Sequence, residues 1–515
     1  MSRLLILGSG PLLFENANRT YAAGARTWQI TEPLIADGHE VLLVGQRLPL
    51  SYPDDLPPEM TVREEDRFVY RSVHPTLFQS EGYLERLSRD FGPDAVVYPH
   101  ASASFLSRVF LPAQPIWIDI NGHVMTEAQA KSAVYEDDDF LDHFYGMELD
   151  MLAHGDVFST CCDPQTWALL GELGLAGRLN SLTNDRLLVE SVPVGVSDEE
   201  YKPTGRAFRG LDVPESAFVV LWSGGYNTWT DVDTMFEGLE RAMSVDSSVH
   251  FVSTGGQIDG HDEFTYPHFC DLVNGSQFRD RFHLRGWIPR EEVPNYYLEA
   301  DIGLNCEKPI LEVAFGSKQR ILDWSRAALP CVSSRLTELS RVLEEEGIGL
   351  IFAPGDGREL GRLIAEAAAD PDKIQRLGER GRLRLRERFA YAKTMAPFLE
   401  WARSPWSSPD RNRGRHCLEK TTAELEETRA DAESLRRRVE ELTAEVTRLR
   451  ALERAHESHP QPGDDPGAAQ PPADESMLSW AARVTRTSFR QGGVTLVVRR
   501  FLSRATGRGR DEVNG

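Results

Sequence analysis

No run of apolar residues in this chain is long enough to cross a membrane as a helix. The N-terminal MSRLLILGSG is too short in apolar residues for a signal peptide, and a glycine turn follows at once. Both absences point to a cytoplasmic protein, with the inner face of the cell membrane as an option for its tail. Cysteine is sparse: residues 161, 162, 270, 306, 331 and 417, with no CxxC and no metal-ligand spacing. Several lie in apolar runs, as expected for buried thiols in a reducing compartment. Positive charge is also short, 57 Lys and Arg against 80 Asp and Glu, for a net charge of −23. That argues against nucleic acid as the main ligand, because a phosphate backbone requires a basic face. What remains is 515 residues with 41% apolar content, enough for two or three globular domains.

Short apolar strands alternate with helical patterns twice along the chain. In the first half, strands are expected at Leu4–Leu7, Val41–Val44, Ala95–Tyr98, Ile116–Ile120, Val157–Thr160 and Val189–Val192, with a helix over Ala25–Asp37. A polar linker, Gly195–Leu211, precedes the second half. There, strands are expected at Phe218–Trp222, His250–Ser253, Phe282–Leu284, Ile302–Leu304, Pro330–Ser333 and Leu350–Phe352. Helices are expected at Asp231–Met243, Val293–Glu299, Gln319–Arg326, Gly357–Ala369 and Asp372–Arg388. This alternation predicts an α/β protein with two Rossmann-like domains, parallel sheets and a ligand cleft between their C-terminal strand ends. The expected boundaries are 1–200 for the first domain and 212–385 for the second.

Past Ser404 the character changes. A heptad runs from Leu425 to Leu449, with Leu425, Ala432, Val439 and Val446 at a and Thr428, Leu435, Leu442 and Leu449 at d. Valine at a with leucine at d favours a parallel two-stranded coiled coil over 418–455, hence a homodimer; a lone surface helix is the plainer alternative. Residues 456–476 read as a disordered linker rich in Pro, Asp and Ala. The segment 477–515 is an arginine-rich amphipathic tail, suited to an anionic membrane surface or to docking on a protein.

Five places could carry chemistry. Gly316-Ser317-Lys318 opens a helix, so free backbone N–H groups, a positive dipole end and an ammonium would meet an anion there. Asp323, one turn on, could accept hydroxyl hydrogen bonds; together these suit a sugar nucleotide, although an ordinary strand–helix connection reads the same way. Gly224-Gly225-Tyr226-Asn227-Thr228 follows the first strand of the second half, and Gly24 opens the first long helix. Asp119 and His123 flank a polar turn after Ile120 that would face the cleft, with His123 a candidate for a substrate hydroxyl. Gly286 and Ile288 follow the strand 282–284, where open backbone groups could read a nucleobase.

These features resemble GT-B glycosyltransferases, most closely glycosyltransferase family 4, over about residues 1–403, with a long loop of this chain's own near 130–145. The carrying segments are AGARTWQITEPLIADGHEVLLVG, HGDVFSTCCDPQTWALL, SVPVGV, FHLRGWIPREEVPNYYLEADIGLNC and RERFAYAKTMAPFLEWA. The strongest is LDWSRAALPCVSS, which looks like that family's "LEAMACGLPVVAS". The resemblance implies that 386–403 includes a helix crossing back to the first domain. It implies that Asp323 holds ribose hydroxyls and that Glu312 faces the sugar. Gly286 and Ile288 would border the base, Gly24 would line the phosphate side, and His123 would lie near the transferred sugar. The implied reaction is transfer with retention, from a nucleotide-sugar co-substrate to a glycan, lipid-linked or small-molecule acceptor, with no metal and no other cofactor.

Two departures stand out. The family spaces its acids eight residues apart, whereas Glu312 and Asp323 are eleven apart. The family also sets an Arg and a Lys after the first strand of its second domain; here GGYNTWTD holds no basic residue. Lys318, Gly316, Ser317, Gly225, Asn227 and Thr228 are left as candidate diphosphate groups. Lys318, Glu312 and His123 form the expected catalytic set. Epimerase or phosphorylase chemistry on a GT-B-like body, or a non-catalytic scaffold working through its coiled coil and basic tail, are the alternatives.

Overall fold

The computed structural model describes residues 1–12, 14–15, 21–48, 51–53, 55–139, 141–258 and 260–457. The chain divides into two units, Met1–His416 and Cys417–Gly515. The first unit holds two sheets. Sheet one contains β1 (Arg3–Gly10), β2 (Glu40–Arg47), β3 (Glu59–Glu65), β4 (Phe68–Val73), β5 (Ala95–Tyr98), β6 (Ile116–Ile120), β7 (Val157–Thr160) and β8 (Val189–Ser191), in the order β3-β4-β2-β1-β5-β6-β7-β8. Sheet two contains β9 (Phe218–Ser223), β10 (Val249–Thr254), β11 (Phe282–Leu284), β12 (Ile302–Asn305), β13 (Cys331–Ser334) and β14 (Leu350–Phe352), in the order β11-β10-β9-β12-β13-β14.

Sheet two is parallel throughout. Sheet one is parallel except at its edge, where β3 and β4 form an antiparallel hairpin. The sequence reading expected no strands at β3 and β4. Glu59–Glu65 is polar with three of its seven residues exposed and none buried, and Phe68–Val73 alternates, so no long apolar run betrays the hairpin. The central strands are buried on both faces and therefore read as continuous apolar runs. In each sheet the strand order reverses at one strand, β1 or β9, and in sheets of this kind ligands bind there, beyond the C-terminal strand ends.

The helices Val293–Glu299, Gln319–Arg326 and Gly357–Ala369 have the bounds the sequence predicts. The long loop expected near 130–145 is instead mostly helical, Val124–Tyr135 followed by Leu141–His154. The second of these buries Met147, Met151 and Leu152 beneath sheet one, and such packing organises a segment whose composition alone is ambiguous. The helix Ala396–Arg403 lies on the first sheet, with Phe398 and Trp401 packed at 5.0 and 5.2 Å against the Trp117 ring. Ser2 Oγ donates to the carbonyl of Ala402 at 2.7 Å.

Ala328 closes the helix Gln319–Arg326 with φ +54, left-handed backbone that favours glycine. It stands where the related motif LEAMACGLP has glycine. The helix Pro371–Phe389 presses on this turn: a Cβ on Gly378 would fall 1.8 Å from the Ala328 carbonyl oxygen.

In the second unit the described part is the long helix that runs over Arg411–Glu457, with Leu435, Leu442 and Leu449 exposed along it. The expected tail 477–515 and all but the first two residues of the expected linker 456–476 lie outside the described residues; Ala455–Glu457 continues the helix.

Candidate active site

At the switch point of sheet two, three neighbouring strands end in glycine. Gly224 (φ +99) donates its N–H to the Thr254 carbonyl, and Gly255 (φ +93) donates to the Gly286 carbonyl at 2.6 Å. A side chain on Gly255 would strike the Gly224 carbonyl oxygen at 2.2 Å, so the strand ends meet backbone to backbone. Gly286 has φ +65, and the space where its Cβ would point is open. Trp287 beside it donates its indole N–H to the Gln257 carbonyl. Ile288 packs into the core below. Gly225 is filled by Ile258, whose Cδ1 lies 2.4 Å from where a Cβ would sit.

Asn227 is tied to its own turn, its N–H meeting Thr230 Oγ1 at 3.1 Å. The buried Thr228 hydroxyl makes no hydrogen bond, while its carbonyl takes the Lys308 ammonium at 2.9 Å. Asp231 caps the next helix through the Thr234 N–H.

Gly316, Ser317 and Lys318 lead into the helix Gln319–Arg326, with Lys318 at its N-cap. The Lys318 ammonium is buried, 2.9 Å from Glu307 Oε1 and 5.5 Å from the centre of the Trp229 ring. Gly316 lies close under the Glu312 carbonyl. Two residues beyond Lys318, the Arg320 guanidinium stacks 4.0 Å over the Trp222 ring. Its Nη1 is shielded from solvent without a hydrogen-bond partner, and its Nη2 comes within 3.9 Å of the Cβ position of Gly224. Burial pulls the guanidinium below its ordinary value, with the Glu307 charge opposing that. The sequence reading missed Arg320: it sought a cation after β9 in the chain, and this one arrives from a helix about a hundred residues on. Glu307 was missed too, since nothing local marks the residue after Cys306 as fully buried.

Asp323 accepts from Gln319 Nε2 at 3.0 Å, and Gln319 Oε1 in turn accepts from Gln29 of the first domain at 2.7 Å. Burial raises the Asp323 carboxyl, while Gln319, Arg326 and Arg290 favour its charge. Glu312 accepts from Thr126 Oγ1 at 2.7 Å, again across the cleft. Burial first, then the Glu127 charge, pushes the Glu312 carboxyl to about 7.

On the facing side, His123 caps the helix Val124–Tyr135 by accepting the Thr126 N–H at Nδ1. Its Nε2 lies 2.8 Å from Glu172. Its ring packs 5.2 Å from Phe315, just before Gly316. Gly24 lies against the turn after β1, where a Cβ would meet the Pro11 carbonyl oxygen at 2.2 Å. Asp119 departs from expectation. It does not face the cleft: it is fully buried, pairing with Arg26 through two contacts of 2.8 Å and accepting from Ser159. Arg26 reaches it from the helix Ala22–Ala36, a partnership invisible at 93 residues' separation. Among the described residues, no group of three or more His, Cys, Asp or Glu side chains is arranged to hold a metal ion.

Residues 228–400 match the family model described as glycosyl transferase-like. Among solved structures, sucrose-phosphate synthase from Thermosynechococcus elongatus superposes with a TM-score of 0.58 and 17% identity, covering 78% of this chain and 98% of that one. The fold is GT-B. The α,α-trehalose-phosphate synthase (UDP-forming) from Burkholderia vietnamiensis gives 0.53 and 15%, over 78% and 99%. Anabaena HepE in complex with UDP-glucose gives 0.51 and 12%, over 78% and 100%. No curated protein sequence matches the chain. The domain match and the GT-B fold together mark the protein as a glycosyltransferase-like enzyme. The matched segment contains Thr228, Gly286, Ile288, Glu312, Gly316, Ser317, Lys318, Arg320 and Asp323, and within the GT-B body it faces His123 and Thr126.

Proposed function

We propose that the protein moves a sugar from a nucleotide-sugar donor to an acceptor hydroxyl, with retention at the anomeric carbon. One observation carries this reading: the Arg320 guanidinium, stacked on Trp222 at the switch point of sheet two, has its Nη1 shielded from solvent without a hydrogen-bond partner, and among the described residues it forms no salt bridge. A shielded N–H without an acceptor is expensive, and an arriving diphosphate relieves that expense with charge-assisted hydrogen bonds. Arg320 thus takes the part of the basic pair missing after β9. The Thr228 hydroxyl and the N–H groups at Ser317–Gln319 complete the anion site beside the Lys318–Glu307 pair and stabilise the leaving diphosphate as its charge grows. Asp323 holds ribose or sugar hydroxyls, and the open edge at Gly286 borders the base. HepE is described in complex with UDP-glucose and the trehalose-phosphate synthase as UDP-forming, so the UDP-sugar class is the first to test. The helix carrying Leu435, Leu442 and Leu449 pairs in parallel with that of a second copy, and the basic tail contacts an anionic membrane.

The test is calorimetric titration of UDP and GDP into the wild-type protein and Arg320→Gln, followed by a donor screen read by mass spectrometry. Binding to wild type, weakened at least about tenfold in Arg320→Gln, is expected. Equal affinity for both proteins removes Arg320 from the site. The absence of basic residues from GGYNTWTD, with Lys318 already paired to Glu307, favours the non-catalytic scaffold as the second reading. No binding of any nucleotide would support it.

A further inference from the structure

Behind His123 lies a pair of carboxyls that the transfer chemistry leaves unused. Glu172, on the helix Asp163–Leu175, contacts His123 Nε2 at 2.8 Å. Glu148, on the helix Leu141–His154, is buried next to it. Burial, then the Glu172 charge, lifts the Glu148 carboxyl well above its usual range. Burial also pushes Glu172 upward, but the neighbouring His123 and Glu148 outweigh it and leave that carboxyl lowered.

The His123 tautomer follows from geometry. Nδ1 accepts the Thr126 N–H at 3.3 Å, so the ring proton sits on Nε2, which contacts Glu172 Oε1 at 2.8 Å without the alignment of a hydrogen bond. With Nδ1 taken and Nε2 against a carboxylate, what the ring offers the cleft is its face, packed on Phe315. The Phe315 carbonyl accepts the Cys162 thiol at 3.1 Å from the end of β7. The first domain thus grips the turn immediately before Gly316, Ser317 and Lys318 from two sides.

We infer that Glu172, backed by Glu148, is a positioning residue that holds the His123 ring in one orientation and, through Phe315, sets the turn carrying the anion-binding residues. A buried carboxyl pair is a costly way to fill space that leucines would fill as well. What the carboxylate adds is a charged partner beside Nε2–H, of the kind that fixes imidazoles elsewhere. The inference concerns the same site as the proposed transfer, but the ring and the turn can be read without substrate.

The experiment uses the full chain with 15N-labelled histidine, the His123 signals being assigned by their loss in His123→Gln. Wild type and Glu172→Gln, whose amide oxygen still accepts, are expected to show the Nε2–H tautomer. Glu172→Leu is expected to keep the tautomer that Thr126 sets but to shift the Nε2 resonance as the ring leaves its carboxylate contact. Hydrogen exchange of peptides spanning residues 311–322 is expected to quicken at least about tenfold in Glu172→Leu and to stay near wild type in Glu172→Gln. An unchanged Nε2 resonance in Glu172→Leu, or equal exchange in both variants, overturns the inference. If Glu172→Leu does not fold, Glu172→Val and Glu172→Thr take its place with the same expectations. UDP titration of the same proteins keeps the two ideas apart, since failure of wild type to bind UDP counts against the transfer reading alone.

Discussion

The ammonium of Lys318 lies 2.9 Å from Glu307 Oε1, and both side chains are buried. The lysine that sequence alone singles out as the anion's partner is already neutralised within the protein. Removing it strands a buried carboxylate. Lys318→Met is expected to lower stability by about 3–5 kcal/mol, and Glu307→Gln/Lys318→Met to recover most of the loss. Denaturant unfolding of the three proteins measures this. A double variant as unstable as Lys318→Met would mean that the pair is not the cause.

Glu312 links protonation to stability. The folded carboxyl holds its proton up to about pH 7, whereas the unfolded one releases it near 4.5. Between these values the folded state binds more protons, so this group's contribution falls as pH rises through that window and stays low above it. Glu312→Gln keeps an acceptor for Thr126 and abolishes the titration. Its stability relative to wild type should rise from pH 5 to pH 8 by up to about 3 kcal/mol. Calorimetric unfolding at the two pH values tests this; a difference that does not grow with pH refutes it.

Ala328 holds a left-handed conformation at φ +54. Ala328→Gly removes that strain and is expected to stabilise the protein by about 1 kcal/mol, less the entropy that glycine adds to the unfolded chain. Chemical denaturation decides the sign, and a destabilised variant would contradict the argument.

The exposed leucines of the long helix bear on assembly. If they form the d positions of a dimer seam, Leu435→Lys/Leu442→Lys should yield a monomer where wild type is dimeric. Light scattering after size exclusion reads the mass of each. A wild-type monomer, or a variant that remains a dimer, rules out the seam.

Much of the architecture was legible because its signals are local. Buried parallel strands such as Val96–Tyr98 and Phe218–Trp222 are continuous apolar runs, and Gln319–Arg326 is bounded by Gly316-Ser317 before it and Pro330 after it. The edge hairpin β3–β4 escaped because exposed polar strands leave little trace. The helical order of 130–145 escaped because it depends on what lies beneath it.

By itself the sequence determined the two alternating α/β halves, the strand-end glycines and the helix start at Gly316–Lys318, since periodicity, turns and chain breaks are set by neighbouring residues. Only the tertiary structure decided which charges are spoken for. Asp119 went to Arg26, Lys318 to Glu307 and His123 to Glu172, while Arg320 was left with an unpartnered Nη1 at the switch point of sheet two. Each of those outcomes depends on residues from 11 to about a hundred positions apart meeting where water is excluded. Over such distances only the packed fold, and no pattern along the chain, brings charges together.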